Sequence, residues 1–361
     1  MTSRRLRFLF TLGLPFSPLY ALVMRLRAWL YHRGLLRRQK MAVPVISVGN
    51  LTMGGTGKTP LVIYIARLLE AMDLKPAILS RGYGRQSARG EGDRVVVVSD
   101  GSPGGGLLVG PERAGDEPVL LARSLPGVPV LVAKRRVLSS RHAVDRLGAD
   151  SLLLDDGFQH LALVRDLDLV LFSARDLPLG ARVFPGGPLR EPWSALERAD
   201  ALVVTGVDDA NREQVGRFRL FLQGLLPDTP SFIGEYLPVC LLDGRSGRSM
   251  ALDRGRGKPW YGFAGIAQPG SFQETLQRAN FLVTGFRSFA DHHPYTPADM
   301  AELMAAARQR RAGGLITTEK DLVKLQPLAG DYPLLALRVA LFMEESFDEF
   351  LRRRLLACCG Q

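Results

Sequence analysis

No aspartate or glutamate occurs before Glu70, yet Arg4, Arg5, Arg7, Arg25, Arg27, Arg33, Arg37, Arg38 and Lys40 all do. A stretch with cations only is drawn to anionic surfaces. Cysteine is scarce: Cys240, Cys358 and Cys359 have no spacing for a disulfide framework or a metal ribbon. Their scarcity suits a reducing, cytosol-facing compartment. Long hydrophobic runs are also missing. The run "FLFTLGLPFSPLYALVM" has about 17 residues and is interrupted by Pro15 and Pro18, short of the roughly 20 that a spanning helix needs. No small-residue cleavage site follows it, which argues against a signal peptide. Repeats and low-complexity tracts are absent, as are a helix-turn-helix pattern and an aromatic-rich sheet motif. The net charge of +11 therefore does not point to nucleic acid.

What is present at the N-terminus is basic and aromatic together. Phe8, Phe10, Phe16, Trp29 and Tyr31 lie among the arginines, as in a segment that rests in a membrane surface. The other reading is a helix packed on the protein body with a solvated basic face. The remainder is ordinary for a globular chain: 361 residues, 46% hydrophobic and 23% charged, enough for about two domains.

Residues 49–60 read "GNLTMGGTGKTP" after the apolar run "VPVISV". A glycine-rich turn between strand and helix aims backbone N–H groups at one point, where the helix dipole adds positive potential. Gly54, Gly55 and Gly57 let the chain approach an anion, Lys58 reaches the β- and γ-phosphates, and the Thr59 hydroxyl suits Mg²⁺. Thr52 stands where the strict phosphate-loop pattern has glycine. After the loop, Leu61, Ile65, Leu68 and Leu69 recur at helical spacing.

Further apolar runs read as buried strands: "KPAILS", "RVVVV", "VPVLVA", "SLLLDDGFQH", "DLDLVLFSA" and "ADALVVTG". Helical stretches alternate with them, one opening at Asp116 and another covering 136–147. The alternation predicts an α/β fold, a doubly wound, mostly parallel sheet of P-loop NTPase type. From about residue 230 the pattern changes, and two extended segments flank the turn "DGRSGR". The expected organisation is a membrane-surface segment at 1–40, a nucleotide-binding core at 41–229, a two-stranded linker at 230–252 and a smaller α/β domain at 253–361. In that last part, strands and helices alternate again from "PWYGFAGIAQP" to "YPLLALRV".

A P-loop needs an acid to organise its metal, at the end of a neighbouring buried strand. "LLLDDGFQH" offers Asp155 and Asp156 there, with Gln159 and His160 within a turn; two adjacent carboxylates are costly unless a cation is near. The alternative is a pair of acids capping a loop. Acceptor deprotonation needs a base. Asp116 and the cluster "DHHPY" at 291–295 are both available, and either could be a helix cap. "FPGGPLREPWSAL" carries Arg190, fit for a phosphate, and Glu191, fit for a metal or for a surface salt bridge. "TTEKD" at 317–321 completes no guanine-reading motif.

"SVGNLTMGGTGKTP", "SRGYGR", "VGPERAGDEP", "DDGFQH", "FPGGPLREP", "FAGIAQP", "FADHHPY" and "TTEKD" occur in this order. In this the chain resembles the tetraacyldisaccharide 4'-kinases of lipid A biosynthesis, over about residues 4–325. Gln268 of "FAGIAQP" stands where that family often has asparagine. The resemblance implies an ATP- and Mg²⁺-dependent transfer of phosphate to the 4'-hydroxyl of a tetraacylated glucosamine disaccharide 1-phosphate. It implies a place on the cytoplasmic face of a bacterial inner membrane, with no nucleic acid and no obligate protein partner. It places the nucleotide on Thr52, Met53, Gly54, Gly55, Thr56, Gly57, Lys58 and Thr59, and the metal on Thr59, Asp156, Gln159 and Glu191. Asp116 would be the base, paired with His292, while Asn50, Arg81, Tyr83, Asp155 and Arg190 would serve the substrate. The competing classes are another P-loop NTPase, and a basic binding module that uses nucleotide as a switch.

Overall fold

The computed structural model describes residues 3–54, 57–82, 94–102, 106–291, 293–325, 328 and 330–359. In chain order the strands are β1 Val45–Asn50, β2 Pro76–Ser80, β3 Val96–Ser99, β4 Val130–Val132, β5 Ser151–Asp155, β6 Leu167–Ser173 and β7 Ala201–Thr205. They continue with β8 Ser231–Asp243, β9 Ser249–Met250, β10 Pro259–Ala264, β11 Leu282–Ser288, β12 Gly314–Thr318 and β13 Leu334–Met343. The helices are α1 Ser3–Gly13, α2 Ser17–His32, α3 Lys58–Glu70, α4 Pro111–Ala114, α5 Asp116–Ser124 and α6 Arg136–Leu147. After them come α7 Arg212–Leu225, α8 Pro269–Arg278, α9 Pro297–Gln309, α10 Glu319–Leu325 and α11 Glu345–Cys359.

Every residue of β1, β2, β4, β5 and β7 is buried. Their unbroken apolar runs are what a parallel sheet covered on both faces requires. Among the described residues all thirteen strands join one sheet, in the path β11-β10-β12-β13-β8-β7-β6-β1-β5-β2-β4-β3, with β9 on β8. β8 through β4 form one parallel block and β13 through β11 another, so the expected α/β, mostly parallel architecture is present. Leu61, Val62, Ile65, Leu68 and Leu69 of α3 all point into the core beside β1. A second cluster, with Phe158, Phe172 and Phe218, covers the opposite face under α7.

The two blocks meet along β8 and β13, paired antiparallel from Gly234↔Met343 to Asp243↔Leu335. The turn "DGRSGR" does close a hairpin, but its return strand β9 is only two residues long. The main partner of β8 comes instead from near the end of the chain. The last helix then crosses back. Phe347, Leu351 and Leu355 of α11 join the cluster around α3, and Tyr64 donates a 2.5 Å hydrogen bond to Asp348.

The N-terminal run also behaves differently from a segment cut by prolines. Helix continues for 25 residues from Phe8 to His32, with an 18-residue window of mean hydropathy 1.4, through a short 3-10 turn at Leu14–Phe16. By length and composition this stretch is long and apolar enough to cross a membrane. Pro15 and Pro18 each fall in the first turn of a new helical segment, where a missing N–H breaks no ladder bond. The helix is anchored on the body. Ser17 Oγ donates to Val183 O at 2.6 Å and accepts from Gly186 N at 2.8 Å, and Tyr20 packs edge-on to Phe184. Its outer face carries Leu19, Leu22, Val23, Leu26 and Trp29, each 47–62% exposed.

Candidate active site

β1 ends in Asn50, and α3 begins at Lys58. The described part of the loop between them is laced to the segment after Val183. Met53 N donates to Pro188 O at 2.8 Å, Arg190 N donates to Leu51 O at 2.8 Å, and Thr52 forms a bridge with Leu189. This pairing explains a residue with a side chain at position 52: Thr52 lies in extended, buried backbone rather than in the glycine turn. Gly57 does need to be glycine. Its φ is +78°, and a Cβ there would come within 1.7 Å of the Tyr236 hydroxyl, which donates to Gly57 O at 3.3 Å. Gly55 and Thr56 lie outside the described residues.

Lys58 Nζ rests between two acceptors at the mouth of the loop, Asn50 Oδ1 at 3.3 Å and Asp156 Oδ1 at 3.4 Å. Arg190, brought in by its pairing with Leu51, binds Asp156 from the other side at 3.0 and 3.1 Å. Burial pulls the Asp156 carboxyl up, but Lys58 and Arg190 outweigh it and hold the group below its ordinary value. Asp156 has φ +55°, a left-handed conformation unusual for a residue with a side chain. The turn separates the two acids. Asp155 faces inward, accepts from Ser80 Oγ at 3.1 Å, and is pushed up to about 7 by full burial and by Glu117. Arg136 locks the turn from within: 2% exposed, it donates to Asp155 O at 3.0 Å and Ala133 O at 2.8 Å. Arg81 lies close enough for its charge to act on Arg136 and His160.

Gln159 Nε2 donates to Asn50 O at 2.9 Å, so the "DDGFQH" loop supports the P-loop directly. His160 is driven down to about 4 by burial and by Arg136, Arg165, Arg27 and Arg81. In the unfolded chain it titrates near 6.5. The unfolded state therefore takes up a proton that the folded state refuses as pH falls from 6.5 to 4. The stability from neutral His160 is complete above that window and lost within it, on the order of 3 kcal/mol. His160→Gln should make unfolding less sensitive to pH between 6.5 and 4. Parallel melting curves for the two proteins would exclude this contribution.

Asp116 opens α5 and pairs with Lys324 of α10 at 2.8 Å; Lys324 also donates to His293 O at 3.3 Å. Lys320, one turn earlier, pairs with Glu117 at 3.8 Å and Asp291 at 3.3 Å. The acidic start of α5 and the "DHHPY" loop are thus tied together by two lysines of the "TTEKD" helix. Asp321 of that motif is fully buried on Gly265 N at 2.9 Å and Thr318 Oγ1 at 2.8 Å, committed to the fold rather than turned to a guanine. His293 is bound by Asp299 at 3.1 Å and packs on Phe289 and Tyr295, a structural setting. His292 and Tyr83 lie outside the described residues.

Of the acids expected to hold a metal, Asp156 is held by Lys58 and Arg190, and Glu191 by Arg198. Among the described residues no three His, Cys, Asp or Glu side chains cluster as a metal site. Glu191 is 2% exposed, and both its oxygens accept from Arg198, which stacks over Phe158. Asp156 nonetheless offers a hard oxygen donor beside Lys58, Thr59 follows as the second residue of α3, and Asp155 Oδ1, turned inward behind them, is buried with no partner. That set fits Mg²⁺, which takes one or two carboxylates and otherwise phosphate and water.

Arg136, Glu117, Lys320 and Lys324 were not singled out from the sequence. The two lysines did leave a trace, an i,i+4 pair on a helix that follows a buried strand. Arg136 left none, since a buried arginine at a helix start looks like any surface cation.

Comparison with known proteins follows the same lines. The family model for tetraacyldisaccharide-1-P 4'-kinase matches residues 9–356. A tetraacyldisaccharide 4'-kinase of Desulfotalea psychrophila is 45% identical over 345 residues, 95% of this chain and 96% of the relative. That of Syntrophus aciditrophicus is 43% identical, covering 87% and 83%. The crystal structure of LpxK from Aquifex aeolicus in complex with ATP superposes with a TM-score of 0.74 at 35% identity, over 95% of this chain and 98% of that one.

Proposed function

We propose a mechanism on one premise: the chain belongs to the tetraacyldisaccharide-1-P 4'-kinase family. It is an ATP-dependent kinase of lipid A biosynthesis that phosphorylates the 4'-hydroxyl of a tetraacylated disaccharide 1-phosphate. The observation that carries this reading is Lys58. It stands at the first turn of α3, between Asn50 and Asp156 and with Arg190 beyond, and this reading assigns it the γ-phosphate.

In this reading the backbone of residues 52–59 and the α3 N-terminus hold the phosphates of ATP. Lys58 and Arg190 balance the charge that spreads over the transferring group. Asp116 accepts the proton of the 4'-hydroxyl as the new phosphorus–oxygen bond forms and ADP leaves. His292 is its partner. Lys324 and Lys320 hold this base beside the "DHHPY" loop. Asn50, Arg81 and Asp155 complete the wall on the substrate side. Thr59, Asp156 and Gln159 would hold Mg²⁺, which would supply positive charge against the transferring phosphate. Glu191 would join them only by leaving Arg198. The nucleotide half comprises 41–229 together with α11, and the smaller half spans β10 to β13.

The N-terminal helix is the membrane contact, on the cytoplasmic leaflet. Its apolar residues turn away from the body while Ser17 and Tyr20 fasten it there, so it lies on a bilayer rather than crossing one. Leu22→Ser with Leu26→Ser should weaken binding to phosphatidylglycerol vesicles about tenfold or more, because two large apolar side chains leave the interface. Undiminished co-sedimentation would sink this part.

The reaction itself is tested by incubating the protein with γ-labelled ATP, Mg²⁺ and the tetraacylated disaccharide 1-phosphate in detergent. Label on the lipid supports the reading. Hydrolysis of ATP with no labelled lipid would point to a different acceptor.

A further inference from the structure

The N-terminal helix does more than lie beside the nucleotide site. Its inner face carries Arg27, whose Nη2 donates to the main-chain oxygen of Gln159 at 3.1 Å while its guanidinium stacks over Tyr31 at 5.6 Å. The side chain of Gln159 in turn donates to Asn50 O at 2.9 Å. Asn50 Nδ2 donates to Thr52 O at 2.7 Å, and Asn50 Oδ1 accepts from Lys58 Nζ at 3.3 Å. Four residues thus form one hydrogen-bonded chain from a peripheral helix to the lysine of the phosphate loop, with Thr52 held as a branch on Asn50. Asn50 is fully buried and β1 is buried throughout, so the inner links have little room to relax independently.

We propose that Arg27 is a positioning residue of the nucleotide site, acting through Gln159 and Asn50 on the phosphate loop. The inference rests on the reading of residues 52–59 as the ATP site, and deepens it. Arg27 holds the Gln159 main chain so that the carboxamide reaches Asn50 O. With Asn50 fixed at its main-chain oxygen, its side chain spans the loop and sets the resting place of Lys58. A charged donor to a carbonyl is the stronger kind of hydrogen bond.

The test is ATP binding by calorimetry on the full chain in detergent, for wild type, Arg27→Met, Gln159→Ala and the double variant. Arg27→Met should weaken ATP about three- to tenfold, with the KM for the lipid and binding to phosphatidylglycerol vesicles unchanged. In the Gln159→Ala background, which keeps the main-chain acceptor but removes the link to Asn50, adding Arg27→Met should cost nothing further. An arginine that merely fastens the helix would give losses that multiply, and that result would overturn the proposal. So would wild-type ATP affinity in Arg27→Met. Should that variant fail to fold, Arg27→Lys keeps the charge and stem, and the same non-additivity with Gln159→Ala is expected. Wild-type protein that bound no ATP would instead bring down the nucleotide site itself, and this inference with it.

Discussion

Asp116→Ala is expected to lower kcat for phosphate transfer by about 10²–10⁴-fold, the usual range for a lost general base, with ATP affinity nearly intact. The asymmetry follows from where the carboxylate stands. Asp116 begins α5 and bonds to Lys324 of α10, whereas the phosphate loop is built from β1, α3 and the 188–190 segment. The proposed base therefore sits on different elements from the phosphate loop, and its loss is expected to fall on the acceptor side. Two controls sharpen the result. Asp116→Asn keeps the shape and removes the charge, so it should be nearly as slow as Asp116→Ala. Lys324→Met leaves the carboxylate but unties it from the His293 main chain, so it should fall between them. Asp116 is also the first acid of a helix, and losing it there costs a few tenths to about 1 kcal/mol of stability. A stability lowered by that much, with kcat at the wild-type level, would show a residue that serves only the helix start and remove Asp116 from catalysis.

The parts of this site that could be read in the sequence are those made by consecutive residues. "VISVGN" and the helix after Lys58 announce a strand, a turn and a helix by local pattern alone. "SLLLDD" places two acids at the end of a buried strand in the same way. What could not be read comes from residues far apart in the chain. The pairing of β8 with β13 joins segments separated by most of the smaller half, and nothing in either strand names its partner. The return of α11 to the α3 core rests on Phe347, Leu351 and Leu355, whose spacing would suit any amphipathic helix. Prolines misled for a different reason. Pro15 and Pro18 break a run of apolar letters, but at first-turn positions they cost the helix nothing. Charges were the least legible. Glu191 reads as a metal ligand beside an arginine, and only the fold shows that Arg198, seven residues on, takes both its oxygens. The same is true of Arg136, whose role depends on the left-handed turn at Asp156, which aspartate tolerates but nothing in the local sequence requires.

Lys58→Ala should lower kcat/KM by about 10³-fold or more. One preorganised donor to developing charge is typically worth 10²–10³, and Lys58 also contributes to holding the ground-state phosphates. Both kcat and KM for ATP should suffer, unlike Asp116→Ala, where kcat alone does. Lys58→Arg should not restore activity. The ammonium fits as a point charge between Asn50 Oδ1 and Asp156 Oδ1, and a longer planar guanidinium cannot make that same pair of contacts. The variant carries a second signature. Asp156 is held low by Lys58 and Arg190 against its burial, so its stabilising contribution is present above the unfolded carboxylate range and is lost as pH falls through the folded value. With Lys58 gone, Arg190 alone opposes burial, and the Asp156 carboxyl moves up. Melting curves of Lys58→Ala should then lose less stability on acidification than wild type, the loss ending at a higher pH, and Lys58→Ala with Asp156→Asn should show no loss from this group. Transfer of label at near wild-type rate by Lys58→Ala would mean that the γ-phosphate lies elsewhere. An unshifted acid limb with transfer abolished would keep Lys58 in catalysis and leave Arg190 as the cation that governs Asp156.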